Sequence, residues 1–348
     1  MAEQGAEKRS DLARAFSEDG ARKTHVGGQA LIEGIMMRGR YNWAVAVREP
    51  DGGIYVEEHD LASGADRNGW MHWPLVRGCR ALVESLMLGY KALEIAALHA
   101  FGDEESAERA AEEAGDSFGK REMAVAMALG LVLGVVLFIV APAFITNLIV
   151  GEYDQRTVLW NVVDGLLRVA VFVFYLWLIG RMDDIRRMFM YHGAEHKTIH
   201  CYEHGLPLTP ANARSFPRLH VRCGTAFLIM VMVIAIFVYT IFPVNALIDA
   251  WGVPDGPPKL ALVILVRILL MPVIAGISYE ITVKWAGSHP DNPLVKVILW
   301  PGMQMQYLTT NEPDDEQLAC AIAAMERVLA REEAEAARAG AASGAPAA

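Results

Sequence analysis

The sequence predicts a mainly α-helical membrane protein with four transmembrane helices, a small cytoplasmic β-hairpin element and interfacial amphipathic helices. Three observations predict it. Of the 348 residues 53% are apolar, and they gather into four runs of bilayer-spanning length instead of the stripes and short strands of a soluble core. Lys and Arg are nearly excluded from two short connections between those runs and abundant elsewhere. Ahead of the first run, two apolar segments flank a turn-forming tetrapeptide.

Taken in order, residues 1–25 are polar and read as a disordered tail, as do residues 331–348. The formal charge of −10 does not argue against a membrane, because the apolar runs themselves carry few charged residues. No nucleic-acid partner is expected of so acidic a chain.

Residues 26–62 form the β element. Ala44–Val47 and Ile54–Val56 flank Pro50-Asp51-Gly52-Gly53, whose residues tolerate positive φ and close a hairpin. Gly27, Gly28 and Gly34 match no phosphate-loop spacing and predict a tight backbone approach or a bulge. Residues 75–101 read as one long helix, with Arg77, Arg80, Glu84, Lys91 and Glu94 in a narrow charged stripe and apolar residues around it. Such a helix lies in the membrane interface or buries most of its surface against the bundle, and the interface, with its cations snorkelling to water, is the favoured reading. Residues 102–119, acidic and Ala-rich, read as a linker.

The four spans are Met123–Val150, Val158–Gly180, Thr225–Ala250 and Lys259–Lys284, each able to cross roughly 30 Å of hydrocarbon at about 1.5 Å per residue. The first begins too late for a cleavable signal peptide, so the spans themselves direct insertion. Fifteen Lys and Arg precede the first span, seven lie in residues 181–222, five follow from Lys284 onward, and the connections 151–157 and 251–258 hold one between them. Both termini and the central loop 181–224 are therefore expected in the cytoplasm. On that topology Asp164, Arg168 and Arg267 lie roughly 9 to 15 Å below the outer surface. Charge at that depth faces the bundle interior and pairs, so Asp164 is expected to meet Arg267, with Arg168 one turn away. A structural ion pair is the reading, ahead of an ion pathway. No span contains a histidine, which disfavours haem.

After the last span, residues 294–308 carry Trp300 and Tyr307 and read as interfacial. A final amphipathic helix starts near Pro313 and presents Leu318, Ile322, Met325 and Leu329 on one face, in need of a partner. Cys79, Cys201, Cys223 and Cys320 show no disulfide framework and lie on the cytoplasmic side of the expected topology.

The chemistry concentrates in Tyr191-His192-Gly193-Ala194-Glu195-His196-Lys197-Thr198-Ile199-His200-Cys201-Tyr202-Glu203-His204. On a helix His192 and His196 stand one turn apart on one face, the separation at which two imidazoles hold one divalent ion. Glu195 beside them completes the H-x-x-E-H order of inverzincin-type zinc hydrolases, in which the carboxylate is the general base. His200 continues the four-residue rhythm, and His220 and Cys223 bring another imidazole and a thiol to the start of the third span. Five of the ten histidines fall between His192 and His220. Imidazole, thiolate and carboxylate together suit zinc. Four protein ligands would close the site and make it structural, whereas three would leave a position for water and a role for Glu195. Arg222 either orients an anionic substrate group or anchors to headgroups.

The stretches GGQALIEGIMMRG, YHGAEHKTIHCYE, RLHVRCGTAF and QYLTTNEPDDEQLACAI resemble the YqhQ-like family of bacterial membrane proteins, a domain of unknown function. The resemblance runs from about Val26 to Leu329. It implies a bacterial inner-membrane location and a functional core at Glu33, Arg38, His192, Glu195, His196, His220, Arg222 and Cys223, with Glu33 and Arg38 as further substrate-orienting groups. Members carry the label of predicted metal-dependent enzymes. Two functions compete on this sequence. One is a zinc-dependent hydrolase at the cytoplasmic membrane face. The other is a membrane scaffold or assembly factor with a structural metal, a membrane-protein partner or a second copy of itself.

Overall fold

The protein is seen here in a computed structural model that describes residues 11–17, 24–61, 69–100, 118–151, 157–242, 248, 251–254, 256–286, 289 and 292–343. The chain is mostly helical and carries one antiparallel sheet whose four strands run in chain order. These are β1 (Gly27–Leu31), β2 (Gly34–Arg38), β3 (Asn42–Arg48) and β4 (Ile54–Asp60). The expected hairpin is the β3–β4 half, closed across Pro50–Gly53 with Gly52 at φ 90°. A second hairpin precedes it, pairing Leu31 with Gly34 across Ile32 and Glu33. That turn escaped the sequence reading because Glu33, not a glycine or asparagine, adopts the left-handed φ of 47°. Arg187 holds it there, donating through Nε at 2.5 Å and Nη2 at 2.6 Å to the two Glu33 carboxylate oxygens, with the Tyr191 hydroxyl at 3.3 Å. The guanidinium keeps the Glu33 carboxyl below its ordinary pKa.

The two central strands are buried on both faces, which is why Ile35–Met37 and Trp43–Val47 read as continuous apolar runs. Ile35, Met37, Ala44 and Ala46 face α6 (Asp183–Glu203) and α11 (Asp315–Ser343). Met36, Trp43, Val45 and Val47 face α2 (Val76–Ala100) through Ala92 and Ala96. Each large apolar side chain so enclosed contributes about 1.5–3 kcal/mol. The apolar stripe of the last helix thus finds its partner within the chain.

The other half of α2 runs to the end of α9 (Pro257–Tyr279), where Arg77 Nε donates to Glu280 at 2.7 Å. Val83, Leu86 and Met87 remain exposed on this helix.

Among the described residues, three helices are long and apolar enough to cross a membrane: Ala128–Val150, Val158–Ile179 and Pro257–Ala286. Their apolar surfaces associate the chain with a lipid bilayer. The first comprises α3 (Phe118–Val135), a π-helical turn at Val136–Val140 and α4 (Ala141–Val150). Pro142 lacks the N–H that would bond the Phe138 carbonyl, which accounts for a disturbed ladder at that point. The second lies in α5 (Thr157–Ile179), and the third continues α9 through a π-helical turn at Glu280–Ala286. The expected span Thr225–Ala250 corresponds to α8 (Gly224–Ile241), whose apolar stretch Phe227–Ile241 falls short of the other three. Residues 243–247, 249 and 250 of that expectation lie outside the described residues, as do residue 101 of the expected helix 75–101 and 102–117 of the expected linker.

Both tails contain helix where none was expected. Within the first, α1 (Asp11–Ser17) packs Ala15 and Leu12 against Leu219 and Met303, and Arg14 donates to the Ser215 carbonyl at 2.7 Å. In the second, α11 runs on to Ser343, supported by pairs of Arg331 and Arg338 with Glu335. The remaining elements are the short α7 (Pro210–Arg214) and α10 (Pro293–Thr309).

Candidate metal centre

The histidine-bearing segment is the C-terminal half of α6, and Tyr191 to Cys201 are all buried although more than half of them are polar. Buried polar groups need partners, and the chain supplies them by folding residues 214–219 back along the helix. The Lys197 ammonium donates to the carbonyls of Arg214 at 3.1 Å and Phe216 at 2.6 Å. His196 Nδ1 lies 2.6 Å from the Arg218 carbonyl, and His200 Nε2 lies 3.0 Å from that of Leu219. On the other side, His192 Nδ1 lies 2.8 Å from the Thr309 carbonyl at the end of α10.

These contacts fix tautomers. A carbonyl only accepts, so His192 and His196 each carry their proton on Nδ1 and direct an Nε2 lone pair away from it. Both lone pairs turn toward Cys223. His192 Nε2 is 3.1 Å from the Cys223 sulfur, and the ligating atoms of His192, His196 and Cys223 lie within 4.8 Å of one another. His196 Nε2 is buried and makes no hydrogen bond, a costly state for a polar atom in the absence of an electrophile. Burial pushes the His196 pKa down to about 4, so this imidazole stays neutral. Two oriented lone pairs, one of them orphaned, and a soft sulfur fit zinc. The Thr309 and Arg218 carbonyls are the outer partners that hold the ligands in line.

Glu195 projects beside this triad, 6% exposed. Its Oε1 accepts the Gly28 N–H of β1 at 2.8 Å. A Cβ on Gly28 would stand 2.8 Å from the Glu195 carboxyl carbon and 2.8 Å from the Met36 carbonyl oxygen. The glycine is therefore the close backbone approach that its motif suggested. Burial raises the Glu195 pKa to about 7, against the pull of His192 and the Gly28 hydrogen bond. We expect Gly28→Ala to lift β1 from α6 and destabilise the fold by about 1–3 kcal/mol, measured by thermal unfolding in detergent. An unchanged melting temperature would contradict this packing.

The triad opens into a cleft of 590 Å³ between the sheet, α2 and the membrane helices. Glu195, His196, His220 and Cys223 line one wall, and Arg38, Arg77, Arg80, Arg222 and Lys284 supply cations around the rest. Arg38 and Arg80 share Glu84, at 3.3 and 3.0 Å. Arg222 lies against Glu203, which is fully buried.

The predicted residues are thus not all in one place. His192, Glu195, His196 and Cys223 come together, and Arg38 and Arg222 line the same cleft. His200 and His220 belong to a neighbouring group with Glu203. Glu33 clamps the first hairpin to α6 through Arg187. Asp164 and Arg168 pair 3.0 Å apart in α5, and Arg267 of α9 bonds the same Asp164 carboxylate, remote from the cleft. Sequence reasoning missed Glu203 as a site residue, although it stands three positions after His200 on the same helix. It also missed Lys197 and Gln306, the latter bonding the His220 N–H and carbonyl at 2.8 and 2.9 Å.

Residues 73–331 match the family described as "Protein of unknown function (DUF1385)". The chain belongs to this family. It is also 31% identical over 307 residues to "Uncharacterized protein YqhQ" of Bacillus subtilis (strain 168), covering 87% of this chain and 92% of that protein. No solved structure matches it. The DUF1385 match takes in α2, every apolar helix, α6 and Cys223, so the cleft and most of its lining are family territory, whereas the sheet lies outside residues 73–331.

Proposed function

We propose that this chain is a zinc-dependent membrane hydrolase, with His192, His196 and Cys223 as metal ligands and Glu195 as general base. The observation that carries the reading is the pair of carbonyl-locked imidazoles aimed at one cysteine, with a buried carboxylate of raised pKa at their side. Three ligands leave a position open. Zinc bound there would supply a Lewis acid for a carbonyl or phosphoryl oxygen. Glu195 would take the proton of the attacking water and return it to the leaving group, as its position near neutrality suits. Arg222 and Arg38 would orient an anionic group of a peptide or lipid-linked substrate.

In this proposal α8 completes a fourth span, and the Lys and Arg distribution places both termini, the sheet and the cleft on the cytoplasmic side of a bacterial plasma membrane. α2 then lies in the interface with Val83, Leu86 and Met87 toward lipid.

His192→Ala is expected to weaken zinc binding by at least about 100-fold and to abolish rescue of a strain lacking the gene. His204→Ala, at an exposed imidazole bonded to its own helix at the His200 carbonyl, leaves both unchanged. Zinc content untouched by His192→Ala would overturn the proposal. The exposed apolar face of α2 favours the scaffold reading. A stoichiometric membrane-protein partner recovered in mild detergent, with no turnover of any substrate, would decide for it.

A further inference from the structure

His200, Glu203 and His220 form a second group beside the first. We infer that they hold a second divalent metal position, independent of whether the first is catalytic. Their ligating atoms lie within 4.8 Å of one another, and the residues are 0%, 0% and 3% exposed. A carboxylate buried so completely is costly unless cations and hydrogen bonds compensate it. Only half of Glu203 is compensated. Its Oε1 accepts the Thr24 N–H at 2.9 Å and an N–H of Arg222. Its Oε2 is buried without a hydrogen bond and lies 3.8 Å from His220 Nε2. That separation is close to the roughly 3.3 Å edge of a tetrahedron with bonds of about 2.0–2.1 Å, the lengths zinc makes with nitrogen and oxygen.

The imidazoles are held for the purpose by their surroundings. His200 donates through Nε2 to Leu219, which puts its lone pair on Nδ1. His220 is clamped by Gln306 on both sides of its peptide unit, and burial keeps it neutral. Arg222 shows that a cation is stabilised here. Its Nη2 meets Oε1 and also lies 3.3 Å from His220 Nε2, and its side chain is 31% exposed toward the cleft, so a metal at this position takes the place of the guanidinium and sends it back into the cleft. Two imidazoles and a carboxylate suit zinc or a similar borderline ion. The His196 and His220 rings, 5.6 Å apart between centroids, form the wall between the two positions. Together the positions would present two dications to the basic cleft, an arrangement suited to an anionic group.

The test is metal counting on the full-length chain in detergent, stripped and reloaded with zinc and, in parallel, with cobalt. Wild type is expected to bind two ions per chain. Glu203→Gln, which keeps the volume and the acceptor for Thr24, and His200→Ala should each bind one and retain the thiolate-to-cobalt charge-transfer band. Cys223→Ala should lose that band and keep a cobalt ion with nitrogen and oxygen ligands only. A count unchanged by both Glu203→Gln and His200→Ala overturns the inference. So does loss of every ion and of the sulfur band in Glu203→Gln at an unchanged unfolding temperature, which would mean one shared centre. If Cys223→Ala leaves the count intact while Glu203→Gln lowers it, the second position stands and the hydrolase reading fails.

Discussion

Glu195→Gln is expected to lower turnover by about 10²–10⁴-fold while leaving zinc bound. The amide oxygen still accepts the Gly28 N–H, and the side chain keeps its volume, so the contact between α6 and β1 survives. What is lost is the one buried group beside the triad able to take a proton near neutral pH. In cells the variant should accumulate normally, carry wild-type zinc and fail to rescue a strain lacking the gene. Full rescue would remove the general base from the account and leave a structural centre.

The second large effect is expected within the membrane. Arg267 and Asp164 are 1% and 2% exposed and bonded to each other, and Arg267 also donates to the Asn161 side chain at 2.5 Å. Its guanidinium lies 4.7 Å from the ring centres of Trp160 and Tyr239, and the Tyr239 hydroxyl donates to the Arg267 carbonyl at 3.0 Å. The network therefore ties α5, α8 and α9 together. Arg267→Ala removes the more deeply buried of the two arginines on Asp164, leaving Arg168 alone to compensate the carboxylate, and should cost up to about 3–5 kcal/mol of stability in unfolding measurements in bicelles. Replacing both partners, Asp164→Leu with Arg267→Met, removes the buried carboxylate but also takes from Arg168 its 3.0 Å ion pair, and should recover part of the loss. If the double variant folds and still rescues, the pair is structural. If it folds and fails to rescue, the pair carries ion traffic instead.

The sequence was legible where function depends on side-chain identity and spacing. His192 and His196 were placed on one face by the four-residue interval alone, and Asp164 and Arg267 by depth and charge. It was opaque where the decisive group is backbone. The Thr309 and Arg218 carbonyls that set the tautomers belong to no residue type, so nothing in the letters marks them. The division of the histidines into two groups likewise depends on how residues 214–223 fold back along α6, a path set by Lys197, Gln306 and the turn at Gly205. The first hairpin was hidden because a tertiary ion pair with Arg187, not local turn preference, holds Glu33 at positive φ. The N-terminal helix was hidden for the same kind of reason, since Ala15 is buried against Leu219 and Met303, more than two hundred residues away.

X-ray absorption at the zinc edge, on the purified chain loaded with two equivalents so that both positions are filled, tests the central claim most directly. The account predicts a sulfur scatterer at about 2.3 Å together with nitrogen or oxygen at about 2.0–2.1 Å, the sulfur vanishing in Cys223→Ala. A shell of nitrogen and oxygen alone in the wild-type chain would contradict it.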